Sequence, residues 1–257
     1  MPRNPRQLSR TGVYHIMVRG INRQTIFFEE DDYQRYLETI DRFVTDEDAV
    51  VLGYCLMSNH VHLLIKENNT AISNIMKRIG ASYAYWYNQK YERSGHVFQD
   101  RFMSESVEDD SYMLTVIRYI HQNPVKAGIV TKADAYIWSS CRLYYGEGQC
   151  LSRLPQTSLI LGMFAETKSQ AIEKFRKFND EINEDKCLEE SRAKNLPDSE
   201  AIKIMTNLNN NQPISTLSTM SKFERDLLLQ RFKETEGLSL RQIARITGLG
   251  YQIVNRA

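Results

Sequence analysis

Val50-Val51-Leu52-Gly53-Tyr54-Cys55-Leu56-Met57-Ser58-Asn59-His60-Val61-His62-Leu63-Leu64-Ile65 holds two β-rich runs on either side of the turn-prone pair Ser58-Asn59. Branched and aromatic side chains suit a pleated strand, so the stretch reads as a β-hairpin. Upstream, Val13 to Gly20 alternates as a strand does, and Ile26-Phe27-Phe28 is a short β-prone run before the acidic block Glu29-Glu30-Asp31-Asp32. Acids suit the first turn of a helix, and Tyr33, Tyr36, Leu37, Ile40 and Phe43 continue at helical spacing. Downstream, Ala71 to about Tyr91 is amphipathic, with Ile72, Ile75, Met76, Ile79, Tyr83 and Trp86 on one face. Val97 to Val107 then reads as a strand, and Ser111 to Gln122 as a helix ended by Asn123-Pro124. Strand, helix, strand, strand, helix, strand, helix is an α+β order close to the ferredoxin-like pattern, an antiparallel sheet with helices packed on a face.

Past Gly146-Glu147-Gly148 the β-branched runs thin out, and helical spacing recurs at Gln170 to Ile182, Glu200 to Leu208 and Lys222 to Phe232. Three regions are expected: a sheet domain over 1–146, a helical extension and linker over 147–220, and a terminal module over 221–257, making the carboxyl-terminal part all-α. Asn209-Asn210-Asn211-Gln212-Pro213 reads as a polar, Pro-ended linker. In Leu238 to Val254, Ala244 precedes Gly248 by four, and Leu249 and Val254 follow as apolar anchors. That is the spacing a helix-turn-helix needs, with an ordinary helical hairpin as the alternative.

No apolar run approaches the roughly 18 residues a membrane helix needs, and no apolar stretch follows the basic residues at the amino terminus. Cys55, Cys141, Cys150 and Cys187 show neither CxxC pairing nor the density of a disulfide scaffold, so a cytoplasmic protein is expected. Charge nearly balances, 33 Lys+Arg against 32 Asp+Glu, yet its distribution does not. Arg3, Arg6, Arg10, Arg19 and Arg23 precede the first acid, and after Glu236 only bases remain, Arg241, Arg245 and Arg256. Both ends are able to face phosphates, although such termini are more often merely solvated.

His60 and His62 flank Val61. On a strand, residues two apart share a face, so the two imidazoles converge while Val61 turns to the opposite core. Two histidines are half a metal site; alone, such a pair is more often a satisfied or exposed one. Arg118-Tyr119-Ile120-His121-Gln122-Asn123-Pro124 adds weight, since Tyr119 and Asn123 are four apart on a helix and share a face. Two imidazoles, one carbonyl oxygen and waters suit Mg²⁺ or Mn²⁺ better than zinc, which favours thiolate or a third histidine. Such a site supports attack by a tyrosine hydroxyl on a phosphodiester. A phenol with a reference pKa near 10 needs the help of a metal that polarises the phosphate.

These residues, with Trp138-Ser139-Ser140 and Arg19-Gly20-Ile21-Asn22-Arg23, resemble the single-tyrosine HUH transposases, and among them the REP-associated tyrosine transposases, over about residues 8 to 146. The resemblance implies a single-strand DNA transesterase with a 5′-phosphotyrosine intermediate and a free 3′-OH. Tyr119 would be the nucleophile, and His60, His62 and Asn123 would hold the ion. Relatives outside this branch carry Gln at the place of Asn123, and Ser58 stands where the branch usually has Pro. Single-stranded or hairpin DNA is the expected partner and a monomer or homodimer the expected state. Arg19, Asn22, Arg23, Arg101, Arg241 and Arg245 are candidate DNA contacts; for Arg101 a salt bridge is an equal alternative. Tyr83, Trp86 and Tyr87, at helical spacing, read as core rather than base-stacking rings, and His121 as surface or packing. Two other readings compete: a catalytically idle DNA-binding regulator of the same fold, and a metal-dependent phosphodiesterase acting on RNA or small nucleotides.

Overall fold

The computed structural model describes residues 7–46, 49–147, 154–185, 187–188, 196–235 and 237–256. Arg3, Arg6, Cys150 and Glu236 lie outside them. The chain divides into two units, 1–189 and 190–257.

The first unit contains β1 (Val13–Arg19), α1 (Glu30–Asp46), β2 (Ala49–Met57), β3 (His60–Glu67), α2 (Ile72–Lys90), β4 (Met103–Ser106) and α3 (Asp110–Lys126). The strands form one antiparallel sheet in the order β2-β3-β1-β4, the ferredoxin-like arrangement expected from the sequence. Both faces are covered, which is why β1 and β2 are buried almost throughout instead of alternating with solvent. Tyr14, Ile16, Val18, Val61, Leu63 and Ile65 pack one face against α1 and α2, with Tyr36, Ile40, Ile75, Ile79, Tyr83 and Tyr87 among their partners. Tyr83 and Tyr87 are core, as their spacing predicts, and Trp86 packs half-buried against them. Val13, Leu52, Cys55, Met57 and Leu64 turn to the other face, under Met113, Val116, Ile117 and Ile120 of α3. Gly53 permits that approach: a Cβ there would lie 2.1 Å from Ile117 Cδ1.

Trp138-Ser139-Ser140 covers the outer edge of β2. Leu56 N donates to Trp138 O at 2.9 Å, and Ser140 N donates to Tyr54 O at 3.0 Å. An edge strand's open ladder is thereby closed, while Trp138 stacks on Tyr33 at 4.5 Å.

Three boundaries differ from the sequence reading. The strand expected over 97–107 is confined to Met103–Ser106, because Asp100 adopts a φ of 56° that breaks the extended run; Phe98 keeps one isolated bridge to Gly20. Helix α3 does not stop at Asn123-Pro124 but runs through Pro124 to Lys126. Its end is set by Gly128, at φ 70°, with Gly128 N bonded to Val125 O and Ile129 N to Pro124 O. That pair of bonds is the Schellman ending a left-handed glycine makes. The first unit also continues past 146. There α4 (Cys141–Tyr144), α5 (Ser158–Leu161) and α6 (Lys168–Asp180) contribute Tyr144, Ile160, Leu161, Ala171 and Phe175 to the core beneath α3.

Asp32 fastens α1 to α2. Its carboxylate is wholly buried and accepts from Phe28 N at 2.6 Å and Glu29 N at 3.1 Å, just ahead of the helix, and from Lys90 Nζ and Tyr91 Oη, each at 2.7 Å. Burial alone would push its pKa up, and those hydrogen bonds outweigh it to hold the carboxyl below the usual carboxylate range. Removing one member of a buried ion pair typically costs about 3 kcal/mol or more. Asp32→Ala should therefore lower the unfolding free energy by about 3 kcal/mol in urea titrations, whereas Glu38→Ala, exposed on the same helix, should stay within about 0.5 kcal/mol.

The second unit contains α7 (Asp198–Leu208), α8 (Lys222–Glu234), α9 (Leu240–Thr247) and α10 (Tyr251–Arg256). Ser221 and Glu224 form a capping box on α8. Met205, Leu217, Leu228, Leu229, Phe232, Ile243 and Val254 share one core, so 221–257 is packed together with α7 and not separate from it. The stretch 209–213 is a built turn and no linker. Asn209 is buried and donates from Nδ2 to Gln212 O, Pro213 O and Thr216 Oγ1, and Asn210 and Asn211 take positive φ. Gly248 ends α9 at φ 69°, as its place in the pattern predicts. Among the described residues no helix is long and apolar enough to cross a membrane.

Candidate active site

The face of the sheet beneath α3 carries the polar residues that the sequence singles out. Across β1 and β3, Met17 stands opposite His62 and Arg19 opposite His60, so the odd residues of β1 and the even residues of β3 share this face. His62 is fully buried and His60 is 9% exposed; their rings meet edge to face at 5.1 Å. Val61 between them belongs to the opposite core, as the two-residue period requires.

Helix α3 lays Tyr119 and Asn123 over this pair. Asp109 starts the helix, its side chain accepting from Tyr112 N at 2.8 Å. The Tyr119 ring stands edge-on to His62 at 5.6 Å and to His15 at 5.9 Å. Asn123 Nδ2 is 3.4 Å from His62 Nε2. His60, His62, Tyr119 and Asn123 thus converge.

Three further residues enter the cluster that the sequence reading left aside. His15 Nε2 lies 3.0 Å from His62 Nδ1. Asn59 Oδ1 lies 2.6 Å from His60 Nδ1, while Asn59 Nδ2 donates to Arg23 O at 3.2 Å. Lys126 Nζ sits 5.0 Å from the centre of the Tyr119 ring. Lys126 follows Tyr119 by seven, two helical turns on the same face, a spacing that becomes visible once α3 passes Pro124.

The candidate DNA contacts occupy different places. Arg19 ends β1 beside His60. Asn22 and Arg23 are exposed in a tight turn with φ of 51° and 59°. Arg101 is exposed in the loop that follows the Gly20–Phe98 bridge. In the second unit Arg241 is exposed on α9, whereas Arg245 is engaged by Asp198, Nη2 to Oδ1 at 2.7 Å.

His121 faces away from this cluster. It is fully buried, with Nδ1 3.2 Å from Asn179 Oδ1 and Nε2 2.8 Å from Ser140 Oγ, and burial pushes its pKa down to about 3. The folded protein keeps His121 neutral while the unfolded chain protonates it near the usual histidine value. Stability is accordingly complete above that value and falls as the pH drops towards 3, by at most about 1.4 kcal/mol per pH unit from this residue. Urea titrations between neutral and mildly acid pH should show a shallower acid slope in His121→Gln than in the wild type.

The donor set is two imidazoles and a carboxamide. Among the described residues no group of three or more His, Cys, Asp or Glu could hold a metal ion. Neutral nitrogen and oxygen donors that leave positions open fit a divalent ion whose shell is completed by water and phosphate oxygens, rather than a closed zinc site.

Residues 9–123 match the family model of IS200-like transposases. The fold is similar to that of a REP-associated tyrosine transposase solved bound to a REP hairpin, with a TM-score of 0.50 at 17% identity over 61% of this chain and 93% of that one. A candidate transposase from Deinococcus radiodurans R1 aligns over 49% of this chain and 96% of its own, at 12% identity and a TM-score of 0.34. No curated protein matches the chain.

Proposed function

We propose that the first unit cleaves and rejoins single-stranded, hairpin-forming DNA by transesterification at Tyr119, in the manner of the REP-associated branch. The observation that carries this reading is the meeting of the Tyr119 ring, both imidazoles and the Asn123 amide on one sheet face. In the reading, His60 and His62 would hold Mg²⁺ or Mn²⁺ through their ring nitrogens, and Asn123 would join them through its amide oxygen. When bound there, such an ion would supply polarisation of a non-bridging phosphate oxygen and charge stabilisation at the departing 3′ oxygen. The Tyr119 oxygen attacks phosphorus and loses its proton, and the 3′ oxygen leaves and gains one. The 5′ phosphate stays on Tyr119, keeping a phosphoester for rejoining. Lys126 places a positive charge beside the ring, where the anionic phosphate must arrive.

Arg19, Asn22, Arg23 and Arg101 supply the phosphate-facing surface around the site, and Arg241 and Arg245 a second basic surface on α9. With Asp198 on its guanidinium, Arg245 contributes less than Arg241. The helix-turn-helix reading of α9 and α10 assigns this second surface to DNA as well.

The test incubates the protein with end-labelled hairpin DNA, in Mg²⁺, Mn²⁺ or chelator, and resolves the products on a denaturing gel. A metal-dependent label that stays on the protein is expected, and a matched duplex should give none. Released 5′-phosphate fragments with no label on protein would mark a water-using nuclease. Binding without cleavage across a varied panel of hairpins would mark a regulator.

A further inference from the structure

The polar row on the active face does not end at His62. Glu105 on β4 stands opposite His15 on β1, and His15 reaches diagonally to His62 on β3, so the row crosses three adjacent strands. Glu105 Oε2 lies 3.9 Å from His15 Nδ1, and His15 Nε2 lies 3.0 Å from His62 Nδ1. At the far end His62 Nε2 faces Asn123. His15 and His62 are both fully buried, so each ring nitrogen's partner decides where its proton sits.

We infer that Glu105 and His15 are positioning residues that hold His62 in its Nδ1–H form, leaving the Nε2 lone pair for the metal, as Asn59 does for His60. The inference rests on the metal-binding reading of His60 and His62 given above. A carboxylate beside His15 Nδ1 draws the proton to that nitrogen, so His15 Nε2 is an acceptor and His62 Nδ1–H must be the donor. The opposite arrangement would turn a lone pair of His15 toward Glu105. His62 Nε2 is then unprotonated, consistent with an amide N–H of Asn123 pointing at it. Contact with His15 is also the largest influence holding the Glu105 carboxyl below its usual range. His60 has the simpler version: Asn59 Oδ1 accepts from its Nδ1–H at 2.6 Å, which again leaves Nε2 as the donor atom. Partners of this kind fix ring orientation and typically change metal affinity about 10- to 100-fold.

The experiment uses the full chain in two readouts. Long-range ¹H–¹⁵N correlation of ring nitrogens in metal-free, histidine-labelled protein at neutral pH reads the tautomer directly, with signals assigned by His15→Phe, His60→Ala and His62→Ala. Electron paramagnetic resonance with Mn²⁺ alone reads affinity. Wild type should show Nδ1–H at His62 and at His60. His15→Phe should move His62 toward Nε2–H and weaken Mn²⁺ about 10- to 100-fold. His15→Gln, whose carbonyl can replace the acceptor, should restore most of that affinity. Glu105→Ala, on a side chain 35% exposed, covers the case in which the buried His15→Phe does not fold, and should give an intermediate loss with partial movement toward Nε2–H. A wild-type His62 carrying its proton on Nε2, or an unchanged tautomer and Mn²⁺ affinity in the folded variants, would overturn the inference. Correct tautomers that respond to both variants, with no Mn²⁺ bound by wild type, would overturn the metal reading and leave the tautomer lock in place.

Discussion

Tyr119→Phe should bind hairpin DNA within about twofold of wild type and lose DNA cleavage by at least about 10³-fold, because the substitution deletes the proposed nucleophilic oxygen and little else. The ring itself is held by packing, edge-on to His15 and His62 with the Lys126 ammonium nearby, and a phenyl ring keeps those contacts. The variant should fold, so binding measured by gel shift and cleavage measured on a denaturing gel separate cleanly. Cleavage that survives the change would assign the attack to water. It would also move the protein toward the phosphodiesterase reading.

The second large effect is expected at the histidine pair, where His60→Ala is the informative change. His60 retains slight exposure and its Nδ1 is held by Asn59, so truncation at the edge of the cluster disturbs little else. His62→Ala is less clean. It empties a fully buried position and strands His15 Nε2 and the Asn123 amide, which costs about 1–3 kcal/mol per unsatisfied group. With one imidazole gone, His60→Ala should lower metal-dependent cleavage by about 10³-fold, equivalent to several kcal/mol of lost charge stabilisation. Hairpin binding in chelator should not change, since the arginines proposed to face phosphate are untouched. Excess Mn²⁺ should recover part of the activity. Equal cleavage in His60→Ala and wild type at matched Mn²⁺ would remove the imidazoles from the reaction.

The sheet was legible because its signals are local. Ser58-Asn59 marks the turn, the two-residue period puts His60 and His62 on one face, and apolar spacing marks α1 and α2. Tyr119 and Asn123 share a helix, so their proximity follows from sequence distance alone. What escaped was non-local or depended on one end signal outranking another. His15 meets His62 through the pairing of β1 with β3, which no single strand reveals. Lys126 was hidden because Pro124 reads as a stop, whereas the left-handed Gly128 sets the true end. The first unit extends past 146 because the apolar stripe of α6 finishes a core that α3 leaves open, a debt visible only once α3 is seated on the sheet. The turn at 209–213 looked like a linker for the reason that makes it a turn: asparagines tolerate positive φ and bond their own backbone.

The covalent bond at Tyr119 is the central claim, and mass spectrometry reads it directly. The protein is incubated with hairpin DNA and Mn²⁺, treated with nuclease to trim the strand, and digested with protease. The account predicts that the peptide containing Tyr119 carries a nucleotide joined through its 5′ phosphate to the phenolic oxygen. Cleaved DNA alongside an unmodified Tyr119 peptide, or a nucleotide on any other residue, would contradict it.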